Sequence, residues 1–125
     1  MLTYNDQDLT TRLAREALIP TALRRGMAVV LGSPLRGGLL GPRCLDVIKH
    51  HPEPVAQKAR QLLATFGDPS PLHHLAIRYL LSDPDVSVVL PGAASVHDIC
   101  DAVKGAEAGP LSEDALAAIR RIQAG

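Results

Sequence analysis

The residues of this chain best suited to chemistry lie in two glycine-rich turns. The first, Gly32-Ser33-Pro34-Leu35-Arg36-Gly37-Gly38-Leu39-Leu40-Gly41, follows an apolar run. Glycines in such a place let backbone N–H groups come close to an anion, and Ser33 and Arg36 add a hydroxyl and a positive charge. The spacing excludes two phosphate loops: Gly38 stands where a Walker A loop needs lysine, and the three-glycine Rossmann fingerprint is missing. Ser33 also lacks the flanking glycines of a nucleophile elbow. The second turn, Pro91-Gly92-Ala93-Ala94-Ser95, puts small residues at a helix N-terminus, where N–H groups and the helix dipole favour negative charge. A surface loop and an ordinary capped turn explain each one alone. On neighbouring strands, the two would converge on one ligand.

The other reactive side chains do not form a site by spacing. His50-His51 and His73-His74 are doublets. Neighbours on a helix point about 100° apart, so a doublet is not expected to chelate. No two histidines have the i, i+4 spacing of a helical zinc site, and no metal is predicted. Cys44 and Cys100 are too few for a disulfide framework or a zinc centre and are predicted to be reduced thiols. Asp98 and Asp101, at i, i+3, could act as acid and base, but beside Lys104 they read as solvated helix carboxylates. No self-contained catalytic constellation emerges, and no catalytic residue is assigned.

The elements that position these turns follow from apolar periodicity. Met27–Leu31 and Val86–Leu90 are short β-branched runs, predicted as parallel strands buried on both faces. Met1–Tyr4 reads as the tail of another strand. Val55, Ala56, Ala59, Leu62, Leu63 and Phe66 fall on one helical face that Pro54 can open and Gly67 can close. Ser70-Pro71 offers a cap for a second helix that must stop before Asp83-Pro84. Ser95 and Asp98 resemble a capping box ahead of a Val96, Ile99, Cys100, Val103 stripe. A last helix starts at Ser112, and Leu9–Arg25 is helical in pattern with a break or kink at Pro20. The order is β, α, β, α, α, β, α, α, an α/β fold with right-handed crossovers. There is no repeat, low-complexity tract or interdomain linker. The loop over 32–52 is longer than the roughly 2–6 residues of ordinary βα loops, a length that favours function.

Composition removes whole classes of activity. The 125 residues carry 13 Lys+Arg and 13 Asp+Glu, so no basic excess is available to track phosphates. Tyr4, Phe66 and Tyr79 are the only aromatic residues, too few to stack bare bases. Nucleic acid is therefore not an expected partner. No apolar run approaches the roughly 18 residues of a membrane span, and the N-terminus has neither a basic nor an apolar signal region. The expected location is the cytoplasm.

Three segments together carry a resemblance. Ser33-Pro34-Leu35 with Gly38-Leu39-Leu40 resembles the Ser-Pro-Leu-x-x-Gly-x-Leu pattern of aldo-keto reductases. Leu75-Ala76-Ile77-Arg78-Tyr79-Leu80-Leu81-Ser82-Asp83-Pro84 is similar to that family's penultimate barrel helix. Leu90-Pro91-Gly92-Ala93-Ala94-Ser95 resembles its last-strand cofactor motif, Ile-Pro-Gly-Ala-x-Ser. Leu2-Thr3-Tyr4-Asn5 leans toward the bacterial aldose and fucose dehydrogenase branch.

The family is a (β/α)8 TIM barrel that moves hydride between NAD(P)H and a carbonyl or sugar lactol. A barrel normally needs about 250 residues. The resemblance therefore implies that residues 1–125 are a single incomplete domain, the C-terminal part of a barrel with strands six to eight. It assigns Ser33, Leu35 and Gly38 to the pyrophosphate and nicotinamide-ribose side of the cofactor. Gly92, Ala93, Ala94, Ser95 and Asp98 fall to the adenosine-phosphate side.

Departures from the family pattern sharpen these expectations. Gly32 stands where many members carry an aromatic that stacks on nicotinamide, and Ala102 where an Asn usually contacts adenine. Asp98 replaces a frequent Arg or Gln and would repel a 2′-phosphate, which tilts the choice toward NAD. The family's catalytic Asp, Tyr, Lys and His have no counterpart in this sequence. The chain alone is thus expected to be inactive, its proton donor missing. Three strands without the rest of a barrel leave two open edges, so self-association or a complementing N-terminal chain is expected. The alternative is a non-catalytic dinucleotide- or partner-binding fragment, or a gene remnant.

Overall fold

Three strands, β1 (Leu2–Tyr4), β2 (Val30–Gly32) and β3 (Val88–Leu90), pair in parallel in the order β1-β2-β3. Leu2, Val30 and Val88 share one register level, and Tyr4, Gly32 and Leu90 another. These observations come from a computed structural model that describes residues 1–67 and 69–125, without the side chains of residues 69–71. Helix α1 (Ile19–Arg24) joins β1 to β2. Helices α2 (Cys44–Val47), α3 (Glu53–Phe66) and α4 (Pro69–Leu81) join β2 to β3, and α5 (Val96–Glu107) and α6 (Glu113–Ala124) follow. The predicted alternation holds, with α2 added as a single turn inside the long loop.

Helices cover one face of the sheet. Val29 and Leu31 are fully buried there in a cluster with Ile19, Ala22 and Leu80. The opposite face is bare: Leu2 is 63% exposed, Tyr4 67%, Val88 44% and Leu90 48%. Burial on both faces, expected from the unbroken apolar runs, is therefore corrected. A strand needs a packed layer on each side for that, and the described residues supply only one. The strands are also shorter than the runs, since Met27 turns back to close α1 through its N–H to the Ala22 carbonyl.

The larger core lies between α3, α4 and α6, with Leu9, Leu39 and Leu40 of the connecting loops. Helix α3 buries Ala56, Ala59 and Leu62 and ends at Gly67, whose φ of 99° suits a residue without Cβ. Helix α4 buries Leu72, Ala76, Ile77 and Leu80 on several sides, as its all-round apolar pattern requires. The predicted Ser70 cap lies outside the described side chains. The continuous helix expected over Leu9–Arg25 is also corrected. Leu9 is buried in a turn closed by Asp8 and Thr11, and Ala14–Leu18 winds as a wider π-helix before α1. Pro20 lacks the N–H that an α-helical continuation would use.

Tyr79 connects distant segments. Its hydroxyl accepts from Gln7 Nε2 at 3.2 Å and from Gln123 Nε2 at 2.9 Å, and burial pushes the phenol above its usual pKa. Among the described residues, no helix is long and apolar enough to cross a membrane.

Candidate functional site

The two glycine turns leave the C-terminal ends of adjacent strands, β2 and β3, and line one cavity of about 340 Å³. That volume is at the lower end of the roughly 300–1,000 Å³ of small-molecule sites. Ser33, Leu35 and Gly38 supply one wall, Gly92 and Asp98 another, and His73 of α4 and Asp101 of α5 stand between. Of the positions singled out in the sequence, Ala93, Ala94 and Ser95 stay outside this wall.

The first turn is wound tightly. Ser33 (φ 55°) and Arg36 (φ 48°) both adopt the left-handed region that non-glycine residues avoid. The amides of Arg36, Gly38 and Leu40 donate to the carbonyls of Ser33, Leu35 and Leu35 at 3.1, 3.1 and 3.0 Å. Buried Leu39 and Leu40 anchor the turn in the core.

Arg36 is not available to a ligand. Its guanidinium donates to Asp8 Oδ2 at 2.7 Å and to the Asn5 carbonyl at 3.0 Å. Asp8 is fully buried, and its Oδ1 accepts from the Thr10 amide and hydroxyl at 2.7 and 2.6 Å. The positive charge expected at the first turn is therefore diverted to a buried carboxylate. No local sequence signal reveals this, because Asp8 lies on the far side of α1.

Leu35, Gly37 and Gly92 line the same cavity, and their amides have no hydrogen-bond partner among the described residues. A Cβ added at Gly37 or Gly92 would meet nothing within 4 Å. On the first-turn side the wall thus has unpaired backbone N–H groups and no charged side chain. A dinucleotide's phosphates and ribose hydroxyls fit that donor set, since backbone amides bind such oxygens without a cation.

The second turn is a self-contained cap. Ser95 Oγ accepts from the Asp98 amide at 3.2 Å, while Asp98 Oδ2 accepts from the Ala94 amide at 2.9 Å. The Ser95 half of the predicted capping box is present, while Asp98 reaches one residue further back to the Ala94 amide, and together they consume donors that an anion would use. Asp98 and Asp101 give this end a negative wall.

Helix α5 packs on α4 through its small residues. A Cβ on Gly105 would lie 3.3 Å from His74 Cα and 3.5 Å from Ile77 Cβ, so the backbones meet closely there. The Val96, Ile99, Cys100, Val103 stripe points away instead: Val96 is 80% exposed and Ile99 52%. Burial of that stripe, implied by its periodicity, is not seen.

One turn before Gly105, Asp101 meets both members of a histidine doublet. His73 Nε2 lies 2.6 Å from its Oδ2 and His74 Nε2 3.2 Å from its Oδ1. Hydrogen bonds from His74 and then His73 hold the Asp101 carboxyl below its usual pKa. Asp101 is therefore not a solvated helix carboxylate. The adjacent histidines nonetheless share one acceptor, because Asp101 lies between their rings on a second helix. A pairing of α4 with α5 would have been needed to see it. Cys44 is buried, with its thiol pushed up by desolvation, and Cys100 is exposed; neither is disulfide-bonded.

Parallel βα units ending in two ligand-facing turns define an α/β enzyme class whose sites lie at the C-terminal ends of the strands. The aldo/keto reductase family model matches residues 2–124, and the chain belongs to this family. The holo form of aldo-keto reductase AKR11C1 from Bacillus halodurans superposes with a TM-score of 0.72 at 22% identity, over 98% of this chain and 42% of that one. Its apo form gives 0.72 at 24% identity, over 97% and 42%. The thermostable aldo-keto reductase Tm1743, solved with the inhibitor epalrestat, gives 0.62 at 20% identity, over 97% and 39%. The chain thus spans about two fifths of the length of these structures. No curated protein matches it by sequence.

Proposed function

We propose that residues 1–125 form the cofactor-binding wall of an NAD(P)-dependent aldo-keto reductase acting on small-molecule carbonyls or sugar lactols in the cytoplasm. In this reading they are one incomplete domain, with β1, β2 and β3 as the sixth, seventh and eighth strands of a (β/α)8 barrel. The observation that carries it is the meeting of two strand-end turns on one cavity with the free amides of Leu35, Gly37 and Gly92.

Ser33, Leu35 and Gly38 would hold the pyrophosphate and nicotinamide-ribose side, and Gly92 to Ser95 with Asp98 the adenosine side. The cofactor, when bound, supplies hydride. The chain's own part is to grip and orient. Gly32 carries no ring to stack on nicotinamide, and Tyr4, whose Cβ is 3.3 Å from where a Gly32 Cβ would be, exposes its ring on the same sheet face. Asp98 sets the cofactor preference: a carboxylate at the α5 N-terminus repels a 2′-phosphate and accepts from a 2′-hydroxyl, favouring NAD.

No residue here takes the place of the family's proton-donating tyrosine or its Asp, Lys and His partners, so hydride transfer has no matched proton. The bare face of the sheet favours a second reading, a non-catalytic dinucleotide-binding module completed by a partner chain or by self-association. Fluorescence titration of the 125-residue protein with NADH tests the first claim. Saturable binding, weaker for NADPH, is expected; no saturable signal with either nucleotide refutes it. Turnover of aldehydes or aldoses by the same protein would refute the assignment of the catalytic groups elsewhere.

A further inference from the structure

We propose that His73, His74, His97 and Asp101 bind one divalent transition-metal ion, of the zinc(II) type, that ties α5 to α4. The claim does not depend on the nucleotide reading, although His73 and Asp101 also line the cavity. His73, His74 and Asp101 each offer a ligand atom, and these atoms lie within 4.8 Å of one another. They come from two helices whose spacing is fixed by the backbone contact at Gly105. His97 stands one turn before Asp101, with Nε2 3.8 Å from Asp101 Oδ2. His97 lies outside that trio as it stands; swung toward Asp101, it would supply the fourth donor of a tetrahedral site.

The distances suit such a site. Tetrahedral ligands on bonds of about 2.1 Å lie roughly 3.4 Å apart. The contacts of Asp101 with the three imidazoles, at 2.6, 3.2 and 3.8 Å, bracket that separation. Opening the cluster around an ion requires His73 and Asp101, now 2.6 Å apart, to separate, and exposed His97 and half-buried His74 to swing in. Charge also favours a cation: among the described residues, the groups within ion-pair distance of Asp101 are imidazoles, with no lysine or arginine. His73 Nδ1 is buried without a hydrogen-bond partner. Without an ion, His73 Nε2–H donates to the Asp101 carboxylate; an ion at Nε2 would displace that hydrogen bond and require the ring proton to sit on Nδ1.

The consequence is mechanical. Helix α5 carries Asp98 and Ala102 on the cavity wall, and its apolar stripe packs against nothing described. An ion at Asp101 would add a second tie between this wall and the buried α4, beside the close packing at Gly105.

Isothermal titration of the 125-residue protein with zinc(II) in a non-chelating buffer is the test, joined by thermal melting with and without the ion. One ion per chain and a higher Tm are expected. Changes outside the ligand sphere already cost about 10–100-fold in metal affinity, so Asp101→Asn is expected to lose more than about 100-fold. His97→Ala, at an exposed position with little bearing on folding, is expected to weaken binding by at least about tenfold. It carries the test if Asp101→Asn does not fold. No saturable binding by the wild-type chain, or unchanged affinity in either variant, overturns the proposal.

Discussion

The two turns that share the cavity are built on opposite principles. The first is sewn into the core: Leu39 and Leu40 are fully buried beneath it, and Arg36 ties it to the buried carboxylate of Asp8. The second stands on a helix whose N-terminal apolar side chains face solvent, and it is held by nothing beyond its own Ser95–Asp98 cap. One turn is thus held from beneath by burial and an ion pair, the other by its own cap, with α5 anchored on α4 further along at Asp101 and Gly105. A ligand can be oriented by the first turn and closed upon by the second, the division seen where binding loops come from the low-stability end of a fold. This contrast predicts that substitutions in the first turn act through stability, and those in the second through binding.

The largest effect is expected from Arg36→Ala. It leaves Asp8 fully buried with only the Thr10 amide and hydroxyl as partners, and loss of one member of a buried pair costs about 3–5 kcal/mol. Urea unfolding of the variant measures it. Adding Asp8→Asn to Arg36→Ala should cost less than the sum of the two single changes, because the charge left unpaired is then gone. A loss below about 1 kcal/mol in Arg36→Ala would mean that the first turn is not anchored by this pair, and the contrast between the turns would fail.

Much of this arrangement could be read from residues alone, and the rest could not for definite reasons. Pro20, Gly67 and Pro84 punctuate the chain by their own backbone limits, so the order of elements was legible. The turns at Ser33 and Gly92 were legible because small residues follow apolar runs. What covers an apolar face was not. Alternation tells that Val88 and Leu90 share a side, and helical spacing that Val96, Ile99 and Val103 do, but neither supplies the layer to bury them. The partners of Arg36 and Asp101 were hidden for a related reason. Asp8 and the His73-His74 doublet are brought to them by the packing of other elements, and a linear spacing carries no trace of that.

A smaller effect is expected at the cap. Ser95→Ala removes the oxygen that accepts from the Asp98 amide, a change worth about 1 kcal/mol at an exposed helix N-terminus. The stability loss should be readable in thermal melts. In addition, the turn should loosen enough to weaken NADH binding, and Ser95→Asp, which can cap in the same way, should restore the Tm. If Ser95→Asp recovers the melt but not the binding, its added charge beside Asp98 repels the nucleotide. That outcome would place the cofactor phosphates closer to this helix than the negative wall implies.

The smallest expected effect on folding is the most informative about function. Gly92 does not adopt a positive φ, and a Cβ there meets nothing within 4 Å, so Gly92→Ala should change stability by no more than about 0.5 kcal/mol. The same methyl would project beside a free amide on the cavity wall and hold ligand oxygens away from it. NADH affinity is therefore expected to fall at least about tenfold, or about 1.4 kcal/mol. Equilibrium titration of the variant beside its urea curve separates the two quantities. A variant as stable as the parent that binds NADH equally well would leave the second turn an ordinary strand-to-helix connection. A variant that loses stability and affinity together would mean that both turns are structural, and that the cavity between them is a by-product of packing.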